Sequence, residues 1–450
     1  MRWLRRPRHP RSGSQIGRGV VGASALGLLA LLAFFVGGGL ELFESEDVDA
    51  SRLPASATGT ALAPLTPSPP GFVIPAGSPG CDQIVAQTLG QVGLDVYRND
   101  LTGEGAQIAA RQVTSSRPLA AAVAAEDPVA ARSALAGLLG GRIVRVRIFG
   151  GSRLLAQVGQ EPSIGPVGGT IRDDRGAAVG RFVLSVQGSR GYYLLMRSLA
   201  RVRVVLSRGA RRPKGPVVRA SSLPEHGPIQ LGGKTFYVVS YPIRALSGPI
   251  RVSILVPHTP APGLCNRDPA QTVANTIGHI AMNIYRGELS SGAVRAAARL
   301  IDRTPALARA AAANDPQAVR TTVVGRLFAS RHHIVRVRVD RAGQLVNDIG
   351  GPFALAPVRR PLRLDGRVVG QYVFSIQDDL GFVKLVKRYT GSDVLMRTPT
   401  GQVMGSLVPG PISVPPRGAV NYLGRGYHAF SFTAQRFPSG PLRISILVGV

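Results

Sequence analysis

Apolar and polar positions change rhythm along the chain, and each rhythm predicts a different element. From Gly19 to Leu40 there is no charged residue, and Arg2, Arg5, Arg6, Arg8, Arg11 and Arg18 precede the run. At about 1.5 Å per residue the run matches the roughly 30 Å hydrocarbon core of a bilayer. The positive-inside bias puts the arginines in the cytoplasm and everything after Glu41 outside. The expected order is a basic cytoplasmic tail over 1–18 and a transmembrane helix over 19–41. A cleaved signal peptide fits less well: its apolar region spans only about 7–15 residues, and Ala55-Ser56-Ala57 lies far past this run. From Asp47 to Pro79 the chain is rich in Pro, Ala, Ser, Thr and Gly without apolar periodicity, so 42–80 is expected to be an extended linker.

Beyond residue 80 one pattern is written twice, at a spacing of about 190 residues. Cys81 and Cys265 each precede a helical stretch, which reaches Val96-Tyr97-Arg98 in the first copy and Ile284-Tyr285-Arg286 in the second. Asp127-Pro128 and Asp315-Pro316 each supply an N-cap and a first helical proline, so both copies restart a helix there. The period then drops to two. Ile143-Val144-Arg145-Val146-Arg147-Ile148 and Ile334-Val335-Arg336-Val337-Arg338-Val339 predict strands, and Asp340 to Gly343 predicts a turn into Gln344-Leu345-Val346. Strands over Gly180 to Gln187 and Gly370 to Gln377 lead into short helices, Tyr192 to Leu199 and Phe382 to Tyr389. Both copies close on a hairpin, ending in Arg251 to Val256 or Arg443 to Val448. The expected fold class is α/β of the α+β kind, in two units, 81–257 and 265–450, with a short linker over 258–264.

The net charge of +29 raises nucleic acid as a partner. Only Lys214, Lys234, Lys384 and Lys387 are lysines among 54 basic residues, and the arginines are spread through strands and helices rather than gathered. That distribution, together with export, argues against nucleic acid. It leaves attraction to anionic envelope polymers or lipid headgroups. The sequence contains no Gly-x-Ser-x-Gly, His-Glu-x-x-His, Walker or Gly-x-Gly-x-x-Gly motif in a catalytic setting, so no enzyme, cofactor or metal is expected. His332-His333 has no Cys, Asp or Glu at ligand spacing.

The repeated unit resembles the Cache domains, PAS-like extracytoplasmic sensors of bacterial receptors. The resemblance rests on the Val-Arg-Val-Arg strand and its turn, on Gly370 to Leu385 with its Ser-Ile-Gln-Asp-Asp-Leu-Gly centre, on Thr390 to Val394, and on the terminal hairpin. It implies, for each copy, a long N-terminal helix against a central antiparallel sheet of about five strands, with a small pocket on the sheet's other side. It also implies a sensor or ligand-binding protein. No kinase, cyclase or chemotaxis module follows before Val450, so the expected output goes to a membrane signalling partner or through the single-pass anchor. A non-catalytic scaffold docking on an anionic envelope polymer is the alternative.

Candidate ligand contacts follow from these patterns. Asp378 and Asp379 stand before a helix, where they either hold a ligand or cap free amides; the first copy has Gly188-Ser189 there, keeping a capping serine. On the preceding strand Tyr372 belongs to the face expected against the helices, while Ser375 and Gln377, like Ser185 and Gln187, face the other way. Arg336 and Arg338 share a face, suited either to a carboxylate or phosphate or to the wet side of a sheet. Tyr422 and Tyr427 flank the last hairpin's turn, which resembles a Cache pocket rim. Cys81 and Cys265 are the only cysteines; a disulfide between them, an intermolecular bridge and two free thiols all fit.

Overall fold

The computed structural model describes residues 79–139, 142–159, 162–207, 223–246, 248–330, 332–438 and 440–449. The cytoplasmic tail, the transmembrane helix and nearly all of the linker expected before Cys81 lie outside the described residues. Among the described residues no helix is long and apolar enough to cross a membrane.

The first half opens with α1 (Cys81–Thr102), followed by α2 (Glu104–Thr114), α3 (Arg117–Ala124) and α4 (Pro128–Ala136). Next come β1 (Arg145–Gly150), β2 (Arg153–Gly159), β3 (Ser163–Arg172), β4 (Ala178–Gly188), α5 (Ser189–Ala200), β5 (Arg203–Ser207), β6 (His226–Leu231), β7 (Lys234–Ala245) and β8 (Gly248–Pro257). The second half repeats the order with α6 (Pro269–Ser290), α7 (Gly292–Asp302), α8 (Pro305–Ala312) and α9 (Pro316–Thr322), which runs on into a π-helical turn, Val323–Phe328. Its strands are β9 (Arg336–Arg341), β10 (Gln344–Gly350), β11 (Ala354–Leu355), β12 (Val358–Leu364), β13 (Arg367–Ser375) and β14 (Gln377–Asp378). They are followed by α10 (Asp379–Thr390), β15 (Asp393–Arg397), β16 (Val403–Gly405), β17 (Arg417–Tyr422), β18 (Arg425–Gln435) and β19 (Pro441–Gly449).

This is a mixed α+β fold with antiparallel sheets, as the change of period requires. The single central sheet of about five strands per copy is a simplification that the strand pairing corrects. The second half has a four-stranded sheet, β10-β9-β13-β12, and a separate five-stranded one, β16-β15-β19-β18-β17, besides the small β11-β14 ladder. The first half has the same two groups, β2-β1-β4-β3 and β5-β8-β7-β6, joined into one sheet where Ile164 pairs with Ala245 and the Leu246 amide donates to the Ser163 carbonyl. A short helix separates the two groups in each half: α5 follows β4 and α10 follows β14, and the strands after the helix form the second group.

Local chemistry sets the boundaries. Asp127 accepts hydrogen bonds from the Val129 and Ala130 amides, and Asp315 accepts one from Ala318; each restarts a helix just after a left-handed residue, Glu126 or Asn314. Between β9 and β10 the turn is Ala342-Gly343, both at positive φ, the two-residue geometry that suits the twist of a hairpin. Matched positions also make matched bonds across the two halves. The Tyr97 hydroxyl accepts from the Arg244 amide at 2.9 Å, and the Tyr285 hydroxyl accepts from Gln435 at 2.8 Å. Ser240 meets Ser253, and Ser431 meets Ser445, each at 2.8 Å.

One hydrophobic core runs through both halves. It holds Val85, Leu89 and Val92 of α1, Ala274, Ile277 and Ala281 of α6, and the facing residues of the β7-β8 and β18-β19 hairpins. The helices α2–α4 with the β1–β4 sheet, and α7–α9 with the β9–β13 sheet, enclose separate cores on the two flanks. The central core is closed at its start by a disulfide between Cys81 and Cys265, with Cα atoms 5.6 Å apart. Such a bond places the described residues in an oxidising, extracytoplasmic compartment.

Two predictions test this core. A Cβ at Gly278 of α6 would lie 2.0 Å from the Phe430 ring. Gly278→Ala is therefore expected to lower stability by about 1–3 kcal/mol in a denaturant titration, although alanine suits a helix better than glycine. Replacing both cysteines by serine is expected to cost about 2–5 kcal/mol in the same titration.

Candidate functional site

The four-stranded sheet of the second half presents two unlike faces. Val337, Val339, Tyr372, Phe374 and Ile376 point toward α7–α9 and are buried. Tyr372 donates to Asp302 Oδ1 at 2.7 Å, and burial followed by that carboxylate raises its phenol well above the ordinary range. It is a core residue. As a ligand contact it does not fit, because its face is filled by helix.

The opposite face carries the arginines. Cross-strand register aligns Arg338, Val373 and Arg359 in one row and Asp340, Gln371 and Pro361 in the next. Arg338 Nε bonds to both oxygens of Asp340, at 2.8 and 3.1 Å, and Arg359 Nη1 reaches Gln371 Oε1 at 3.4 Å. Together with Arg341 and Gly370, which alternation places on the helix side, and with Ala312 of α8, Arg338, Asp340, Arg359 and Gln371 line an open groove of about 710 Å³ that wraps the end of the sheet beside the β9-β10 turn. The two row-mates stand on strands flanking β13, so their backbones are about 10 Å apart. Three guanidinium groups (Arg338, Arg341, Arg359) against one carboxylate (Asp340) leave two positive charges in excess on the lining. A groove of this kind can hold an anion through charge-assisted hydrogen bonds.

Arg336 is not available to that groove. It forms a two-pronged ion pair with Asp348 at 2.8 Å, donates to the Gly351 and Pro352 carbonyls, and stacks over Phe437 with 4.9 Å to the ring centroid. In the matched first-half strand the arginine face is not wet throughout: Arg145 is 1 % exposed.

Ser375 and Gln377 do point away from the helices, but β11 covers them. The Ser375 hydroxyl bonds to the Leu355 carbonyl, and the Gln377 amide donates to Ser375 Oγ at 3.2 Å. Ser185 bonds to the Ile164 carbonyl in the same way. Asp378 caps α10 by accepting from the Gly381 amide at 2.5 Å, which supports its capping reading. Asp379 accepts from Leu380; burial and the adjacent Asp378 raise its carboxyl despite that bond. In the first half the expected cap at Ser189 is absent: the residue before α5 is Gly188, and no side chain caps that helix.

Tyr422 and Tyr427 lie on the outer face of the five-stranded sheet, packed with Leu395, Val414, Val420, Ala429 and Leu447. The chain between β16 and β17 crosses this face, and the Tyr422 hydroxyl accepts from the Gly410 amide at 3.2 Å. Where the Cache resemblance implies a pocket, these side chains fill the space. Among the described residues no group of three His, Cys, Asp or Glu is gathered as a metal site.

Comparison with protein-family models, curated proteins and solved structures finds no match for this chain. The site therefore stands on its own geometry. Sequence reading missed Arg359 and Gln371, which only cross-strand register brings beside Arg338, and Arg341, three residues further along the same strand. It also missed two buried acids, Asp100 and Glu288, whose carboxyls burial pushes up to about 8; Arg388 partly offsets the effect at Asp100.

The cap yields a prediction. Asp378→Ala leaves the Gly381 amide without its acceptor, so thermal melting is expected to show a loss of about 1 kcal/mol, while Asp378→Asn, which keeps an acceptor oxygen, loses less.

Proposed function

We propose that this chain is a membrane-anchored, extracytoplasmic binding protein with two Cache-like halves and no catalytic role, and that it holds an anionic envelope polymer on the arginine face of its second half. The observation that carries this reading is the groove of about 710 Å³ in which Arg338, Arg341 and Arg359 outnumber Asp340. Its openness along the sheet suits a chain of repeated phosphates or carboxylates better than an enclosed metabolite. The disulfide supports the compartment, and the uncharged run before the linker supports the anchor. Filling of the outer face around Tyr427 weighs against a small-ligand sensor of the usual pocket kind.

Arg338 and Arg359 make the test. Retention on immobilised polyphosphate, followed over a salt gradient, is expected to weaken about tenfold in the double variant Arg338→Ala/Arg359→Ala, since each charge-assisted hydrogen bond contributes about 1.5–3 kcal/mol before solvent exposure discounts it. The control is Arg111→Ala/Arg132→Ala, which removes the same charge from exposed helix positions in the first half. Equal weakening in both variants would show that binding follows net charge alone and would remove the groove from the account. A melting shift with small dicarboxylates but no polymer retention would restore the sensor reading.

A further inference from the structure

The two long helices meet the opposite half at their C-terminal ends. α1 packs on α10, and α6 packs on α5. On one side the Asn283 side chain of α6 donates to the Leu199 carbonyl of α5 at 2.8 Å. On the other, Asn99 and Asp100 of α1 face Arg388 and Tyr389 of α10 across a cavity of about 30 Å³, closed also by Arg142 and by Gln187 of β4. That volume admits a water molecule or two.

Asp100 is 7 % exposed, and its Oδ2 makes no hydrogen bond. Glu288 is 6 % exposed, and its Oε2 likewise makes none. The two acids occupy the same place in the repeat. Each lies three residues after the tyrosine, Tyr97 or Tyr285, whose hydroxyl pins its helix to the last hairpin of its own half. Elsewhere the chain spends acids on arginines, as in Asp348 with Arg336 and Asp340 with Arg338. A buried carboxylate with a bare oxygen is tolerated as the neutral acid far better than as the ion.

We propose that Asp100 and Glu288 are a matched pair of proton-operated latches at the junction of the two halves. Held as neutral acids, they let each long helix dock on the short helix of the opposite half; ionised, they draw water into the junction and loosen it. This inference does not depend on the arginine groove.

The surroundings fix the direction. Burial raises both carboxyls to about 8. Around Asp100 the Arg388 charge of α10 opposes that rise, Arg142 lines the same cavity, and Tyr192 of α5 and Tyr389 of α10, whose phenols are raised by burial first, are raised further by the acid's charge. At Glu288 burial is the cause, with no charged neighbour among the described residues contributing. The folded chain thus keeps protons that the unfolded chain has released between its ordinary carboxyl range and about 8. Stability falls as pH rises through that interval and levels off above it. His279 and His332, whose values burial lowers, act in the opposite sense below about 6.5, so the informative interval lies above that.

The experiment uses the disulfide-bonded protein and compares wild type with Asp100→Asn, Glu288→Gln and the double variant, whose amides mimic the neutral acids. Melting temperature is expected to fall from pH 6.5 to 8.5 in wild type, about half as steeply in each single variant, and to stay flat in the double. Amide exchange in α5 and α10 is expected to quicken at high pH, beyond its intrinsic base catalysis, in wild type only. A double variant that keeps the wild-type slope overturns the proposal. Should a variant fail to fold, infrared spectroscopy of wild type decides: a protonated-carboxyl band at pH 7 that disappears by pH 9 is expected, and its absence at pH 7 overturns the proposal equally.

Discussion

Burial of two paired 22-residue helices between two sheets is the constraint on which the remaining structure depends. α1 carries Ile84, Val85, Leu89, Val92 and Val96, all buried, on more of its circumference than one sheet can cover. Its own half covers one side, with the β7-β8 hairpin, β3 and α2; α6 and α10 from the second half cover another. α6 is covered in the same reciprocal way. Each copy therefore leaves an apolar helix surface that only the other copy closes, and separating them would uncover a patch of the kind that soluble monomers avoid. The duplication is thus a packing requirement as well as a repeat of sequence.

Around this centre the flanking cores are more autonomous. Each is a four-stranded sheet backed by three short helices, and each shows how an arginine-rich composition is absorbed. Arg145 is buried outright, Arg336 is stacked and paired, and Arg338 is paired but reachable. The same residue type at alternating positions of equivalent strands thus ends in three environments. What separates them is the cover: the segment over β11 closes one end of the second-half sheet, whereas Arg338, Arg359 and Gln371 lie beyond its reach.

Features set by residues close in sequence were legible in advance. The Asp-Pro helix starts, the period-two strands and the Ala342-Gly343 turn each follow from a few neighbouring side chains, and so does the capping role of Asp378. What depended on distant pairing was not legible. Nothing near Arg338 in the chain announces Arg359, and nothing around Asp100 marks it as buried rather than solvated. The grouping of each half's strands into two sets, joined in the first half and separate in the second, was hidden for the same reason, since strand order is a property of register and not of local pattern. Tyr422 and Tyr427 misled in the opposite direction: aromatic residues beside a glycine turn suit a pocket rim and a plug equally, and the crossing segment after β16 decides between them.

The bond between Cys81 and Cys265 sits where the chain enters its first helix. Tension arriving along the preceding segment is shared at once between both long helices. The 184-residue separation between the two sulfurs becomes a side loop outside the direct line of force. A pull on the chain ahead of Cys81 would reach the second half through a covalent shortcut rather than through the folded core of the first.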